Sequence, residues 1–186
     1  MSISYAKNVG LVKTPPIAKI GDNLYRLVNF NGLQWIAEEL KETVPGATMY
    51  DVNGVKYYTR DSANAINSYA GNYGFRLPTR TEVDDLFRVS GNLNQDKVKS
   101  ICVSGLEWYN LGNNSTTFSM KSLKSASGNN TLINNNPNKP YVALINSESQ
   151  GGWFSGVQIS EYTDDRFDFW NGADNRGVIV RLCRDL

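Results

Sequence analysis

Between Gly151 and Asn175 the rings Trp153, Phe154, Tyr162, Phe167, Phe169 and Trp170 are interleaved with Gln158, Glu161, Asp164, Arg166, Asp168, Asn171 and Asn175. Rings give contact area at low entropic cost, while amides, carboxylates and a guanidinium give adaptable hydrogen bonds. Sugar stacking and protein paratopes both use this mixture. The ligand-contacting positions expected here are Trp153, Phe154, Gln158, Glu161, Tyr162, Asp164, Arg166, Asp168, Trp170, Asn171 and Asn175. The competing reading is that Trp153, Phe167 and Phe169 fill the core beneath the surface, which makes the hydrophilic neighbours better contact candidates than the rings.

Residues for reaction chemistry are sparse. The chain has no histidine, which removes the commonest general base, the usual triad member and the usual zinc or iron ligand. The carboxylate pairs Glu38-Glu39, Asp84-Asp85 and Asp164-Asp165 are sequence neighbours, and neighbours diverge on a helix or strand, so they read as solvated surface charge. Asp164, Asp165, Asp168 and Asp174 lack EF-hand spacing. Cys102 and Cys183 match no zinc motif and are too few for a disulfide framework, so they read as buried free thiols; the alternative is a single bridge tying the C-terminal strand to the middle of the chain, open only to a protein that matures in oxidising surroundings. No catalytic residue, metal ligand or cofactor is expected.

Composition sets the scale on which these residues must be positioned. A chain of 186 residues, 40% hydrophobic and 20% charged, is long enough for one domain with a proper core and too short for two ordinary ones. The net charge of +1 comes from singly scattered basic residues, so no basic stripe offers phosphate neutralisation and nucleic acid is excluded as a partner. No stretch approaches the roughly 20 apolar residues of a membrane span, and residues 1 to 8 carry no apolar leader, which predicts synthesis in the cytosol without membrane insertion.

Pro15-Pro16 mark residues 1 to about 20 as an N-terminal arm suited to docking on a neighbour, ahead of a domain over 21–186. Asn31-Gly32 predicts a hairpin joining Leu24–Phe30 to Leu33–Ala37, and Asn53-Gly54 another joining Met49–Val52 to Val55–Tyr58. Ala63, Ile66, Tyr69 and Ala70 are spaced for a short helix within Arg60–Ala70. Thr79-Arg80-Thr81-Glu82 is a capping box after Pro78, and it starts a helix whose apolar face is Val83, Leu86 and Phe87. A third short helix is expected over Asn94–Ile101. Gly105 to Asn138, rich in Asn, Ser, Gly and Thr, reads as long loops. Strands are expected at Tyr141–Ile145, Gly156–Ile159, Phe167–Trp170 and Val178–Cys183, the last with Val178, Val180 and Leu182 on one side. Pro78 holds Arg76-Leu77 extended, placing the Arg76 fork where it can bind loop carbonyls or a carboxylate such as Asp185.

Five stretches in order carry a family likeness: Gly32–Leu40, Tyr57-Tyr58-Thr59, Gly74–Glu82, Asn114–Ser119 and Val180–Asp185. Over roughly residues 20 to 186 the chain resembles the Fibrobacter succinogenes major paralogous domain family. The resemblance implies an α+β, C-type lectin-like fold with N-terminal hairpins, two to three short helices, a long loop region and a closing C-terminal strand. It also implies kinship with formylglycine-generating enzymes and with the variable proteins of diversity-generating retroelements, whose ligand surface lies just before the final strand. Calcium-binding lectins of this fold use Glu-Pro-Asn and Trp-Asn-Asp ligands. Asn136-Pro137-Asn138 and Trp170-Asn171-Gly172 lack two of those carboxylates. The expected function is a non-enzymatic binding or display module, a phage virion protein in a receptor-binding, tail or capsid-decorating role. Its expected partners are other virion subunits and a host-surface glycan or protein, with homo-oligomerisation on a symmetric particle. The alternatives are a purely structural cement protein and a metal-dependent enzyme of the formylglycine-generating kind.

Overall fold

Two left-handed turns set the register of the first half of the chain. The computed structural model describes residues 15–89, 92–93, 96–97, 100, 115–116, 118, 125–126, 132–133, 141–147, 154–158, 166–170 and 176–186. Asn31 and Gly32 take φ of 51° and 77°, and Asn53 and Gly54 take 55° and 79°. Positive φ at both central residues gives a two-residue turn whose twist matches that of the flanking strands.

The strands before the helices are β1 (Ile17–Ile20), β2 (Asn23–Phe30), β3 (Leu33–Ile36), β4 (Met49–Val52) and β5 (Val55–Thr59). A 3₁₀ turn at Arg60–Ser62 leads into α1 (Ala63–Gly71), and α2 (Arg80–Phe87) follows. Later strands are β6 (Arg88–Val89), β7 (Asn92–Leu93), β8 (Ser125–Ala126), β9 (Leu132–Ile133) and β10 (Tyr141–Leu144). The chain closes with β11 (Phe154–Gln158), β12 (Arg166–Trp170), β13 (Gly177–Val178) and β14 (Cys183–Asp185). Among the described residues the fold is therefore mixed α and β, with strands dominating and two α-helices.

The strands form sheets ordered β1-β2-β3-β14, β4-β5-β13-β8-β9 and β10-β11-β12, with a β6-β7 ribbon. All named pairings are antiparallel. The first sheet is buried on both faces at its centre. Val28, Trp35 and Cys183, aligned across three strands, belong to one apolar cluster with Val83, Leu86 and Phe87 of α2. Ile20, Tyr25, Leu27 and Ile36, on the opposite face, belong to a second cluster with Ile66 and Ala70 of α1. Each helix thus buries its apolar stripe against a different face.

Several sequence expectations need correction. The arm boundary moves forward, because Ile17–Ile20 pairs with β2 and Ile20 is fully buried; residues 1–14 lie outside the described residues. The segment 105–138 contains the antiparallel β8-β9 pair, so it is not loop throughout. Of the third helix, Asp96, Lys97 and Ser100 are helical and the rest lie outside the described residues. The closing strand is two strands in two sheets; Val178, Val180 and Leu182 do share one side, in the cluster with α1, but Ile179 and Cys183 on the other side are buried too, in the cluster with α2. That burial follows from position. The segment pairs with β5 at Val178 and bridges Leu144 at Ile179. Its Val180 and Leu182 carbonyls accept from the Leu40 and Ile36 amides, and Cys183 exchanges two backbone hydrogen bonds with Arg76.

Candidate functional site

The Arg76-Leu77-Pro78-Thr79 corner is the first of the supports under the candidate surface. The Thr79 amide donates to Glu82 Oε2 at 2.7 Å and the Glu82 amide to Thr79 Oγ1 at 3.2 Å, completing the capping box. Glu82 also receives the Arg76 fork, Nη1 at 2.7 Å and Nη2 at 2.8 Å, while Nη2 reaches Asp185 Oδ1 at 2.9 Å. The expected Asp185 partner is present, and the bidentate Glu82 pairing is an additional one. The Arg76 hydrogen bonds hold the Glu82 carboxyl below its ordinary value, and they hold the guanidinium above its own. The Leu77 amide donates to Asn67 Oδ1 at 2.7 Å, which fastens the corner to α1.

From this corner the fold reaches the β10-β11-β12 sheet by three routes. The Ser147 amide, just beyond β10, donates to the Pro78 carbonyl at 2.8 Å. The Ile145 amide donates to the Ile179 carbonyl, beside the Leu144–Ile179 bridge. Helix α2, begun by the capping box, packs against β11. The corner and the closing segment together therefore fix where this sheet sits.

Register then sorts its positions. Phe154 pairs with Trp170, Gly156 with Asp168 and Gln158 with Arg166, while Tyr141 and Ala143 of β10 pair with Gln158 and Gly156. Directly paired residues share a face, and successive residues alternate. One face therefore holds Leu144, Ser155, Val157, Phe167 and Phe169, and Leu144 is 1% exposed within the core cluster around α2. The opposite face holds Phe154, Gln158, Arg166, Asp168 and Trp170, five of the expected ligand-contacting positions. Trp153, Glu161, Tyr162, Asp164, Asn171 and Asn175 lie outside the described residues, as do Asp165 and Asp174 of the aspartate group and Asn136-Pro137-Asn138.

Two buried charge centres, the Glu39–Arg181 pair and Glu42, escape the sequence reading. Glu39 is not solvated surface charge: its side chain is 13% exposed and accepts from Arg181 Nη2 at 2.9 Å. Arg181 is fully buried, donates from Nη1 to the Phe118 carbonyl at 3.1 Å and lies 5.4 Å from the Phe118 ring centroid. Phe118 in turn packs edge-on against Trp35, at 5.5 Å between centroids. The neighbouring Glu38 pairs with partly exposed Arg26. Glu42 is the second centre. Its carboxylate accepts from the Asn23 side-chain amide at 2.7 Å, from the Asp22 and Asn23 backbone amides, and from the hydroxyls of Tyr25 and Tyr69. The Glu42 carbonyl accepts from the Tyr58 hydroxyl. Burial raises the Tyr25 and Tyr58 phenols above their ordinary value, with the Glu42 charge adding to the effect. This cage ties the β1–β2 turn to the segment after β3. Its only sequence sign is a glycine, Gly21, at the point of closest approach.

Cys183 is a free, buried thiol pushed up to about 12 by burial; Cys102 lies outside the described residues. No group of three or more potential metal-ligating acidic or cysteine side chains comes together among the described residues. No helix there is long and apolar enough to cross a membrane. Comparison with protein families, with curated proteins and with solved structures returned no match to this chain.

Proposed function

We propose that this chain is a non-enzymatic binding and display module with a C-type lectin-like fold, akin to the Fibrobacter succinogenes major paralogous domain. In this reading it is a phage virion protein that uses the Phe154–Trp170 face of the β10-β11-β12 sheet to contact a host-surface glycan or protein. One observation carries the reading. The backbone register collects Phe154, Gln158, Arg166, Asp168 and Trp170 on the face opposite the buried Leu144, and it separates them from Phe167 and Phe169. A strand face that gathers aromatic and polar positions on a sheet anchored from behind is suited to recognition, because a rigid support lowers the entropic cost of binding.

The antiparallel sheets, the N-terminal hairpins and, among the described residues, two α-helices are compatible with the same reading. The test is an antibody raised against the folded protein. It should label particles pelleted from a producing culture, and its Fab fragment should block their attachment to cells. Unlabelled particles, or labelled particles whose attachment the Fab leaves unchanged, would overturn the receptor-binding role.

A further inference from the structure

We propose that Asn53 is a site of spontaneous deamidation with Asp51 as its proton acceptor, and that the fold shields Asn31, which stands in the same local sequence. The two asparagines form a matched pair. Each precedes a glycine at the tip of a two-residue hairpin, each is exposed, and their φ angles are 51° for Asn31 and 55° for Asn53. Neither Gly32 nor Gly54 has an atom within 4 Å of where a Cβ would lie, so nothing crowds either backbone nitrogen. Backbone shape and access therefore do not tell the two turns apart.

Their hydrogen bonds do. Asn31 Nδ2 donates to the Asp85 carbonyl of α2 at 2.7 Å, which ties that side chain away from the Gly32 amide. The Asn53 side chain makes no hydrogen bond among the described residues and can rotate toward Gly54. The Gly54 amide donates to Asp51 Oδ1 at 3.1 Å, within reach for proton transfer. Lys56 Nζ, 3.2 Å from Asp51 Oδ2, holds the carboxylate in place. In the reaction the Gly54 nitrogen bonds to Asn53 Cγ and passes its proton to Asp51. The Cγ–Nδ2 bond then breaks, and ammonia leaves with that proton, closing a cyclic imide. Water opens the imide at either carbonyl and gives aspartate or isoaspartate. Holding nucleophile, electrophile and base on one turn is what makes the step intramolecular. Isoaspartate lengthens the main chain inside the turn between Val52 and Val55, and the new carboxylate of either product cancels the chain's net charge of +1.

The test incubates the purified protein at neutral pH, folded or in guanidinium chloride. Peptide mass spectrometry follows amide-to-acid conversion at each asparagine, and labelling by an isoaspartyl methyltransferase reports isoaspartate. In the folded protein Asn53 should convert at least about 5-fold faster than Asn31, which must first give up a hydrogen bond. In denaturant the tether is gone and the two should convert at similar rates. Asp51→Asn keeps an oxygen for the Gly54 amide but is a far weaker base. With an unchanged Tm, this variant should slow conversion of folded Asn53 at least about 10-fold and leave the denatured rate as it was. Equal rates at the two sites in the folded protein, faster conversion of Asn31, no conversion of Asn53, or a folded Asp51→Asn variant as fast as wild type overturns the proposal.

Discussion

Replacing Glu82 by Gln isolates the charge at the corner that carries the candidate sheet. Glutamine retains an oxygen for the Thr79 amide, so the capping box survives and the loss falls on the Arg76 pairing. A bidentate charge-assisted pair is worth about 1.5–3 kcal/mol when desolvated, but exposed pairs give only about 0.2–1 kcal/mol. The Arg76 and Glu82 side chains are 36% and 23% exposed, and Arg76 keeps Asp185 as a second partner. Between those limits we expect a loss of about 1–1.5 kcal/mol, or about 2–6 °C in Tm for a domain of this size. The pH profile gives the sharper check. The Glu82 carboxyl is held below its free value of 4.5, so its contribution is complete above that value and disappears as pH falls through the lowered folded one. Urea denaturation of both proteins from pH 7 to pH 3 should show a constant gap above about pH 5.5 that narrows below pH 4.5. A gap that stays constant to pH 3, or widens on acidification, would refute the reasoning.

Three further outcomes follow from buried groups. Arg181→Met strands Glu39, whose side chain is only 13% exposed, and should cost about 3 kcal/mol in urea denaturation; a cost under 1 kcal/mol would contradict the pairing. Gly21→Ala places a methyl 2.2 Å from Glu42 Oε2 and 2.3 Å from the Tyr69 hydroxyl at φ +56°. It should cost about 2 kcal/mol more than Gly32→Ala, which has positive φ and no atom within 4 Å, when both are compared by thermal melting. Cys183, with its thiol pushed up to about 12, should stay unlabelled by a thiol reagent at pH 8 in the folded protein and react at once in denaturant, as located by peptide mass spectrometry.

Local signals in the sequence translated well into structure. The Asn-Gly turns fixed two hairpins because positive φ at both positions leaves few other geometries. The capping box fixed the start of α2 because both of its hydrogen bonds close within four residues. Features made by distant partners were hidden. Glu39 looks like surface charge until Arg181, 142 residues later, is folded against it. Glu42 draws donors from 17 to 27 residues away. The closing strand appeared to alternate because its period-2 pattern is real, yet its two ends join different sheets and both of its sides are covered. For the candidate surface, composition suggested which residues recognise a ligand, but only the pairing of β11 with β12 put Phe154, Gln158, Arg166, Asp168 and Trp170 on a common face.

A position-by-position alanine scan of Arg166–Trp170, read out as both Tm and binding to cells, tests that face most directly. Positions 166, 168 and 170 should each weaken binding at least 10-fold with Tm within about 3 °C of wild type. Positions 167 and 169, on the side of buried Leu144, should instead lower stability by about 3–4 kcal/mol. Reversed parity, or binding that is indifferent to 166, 168 and 170, would contradict the account.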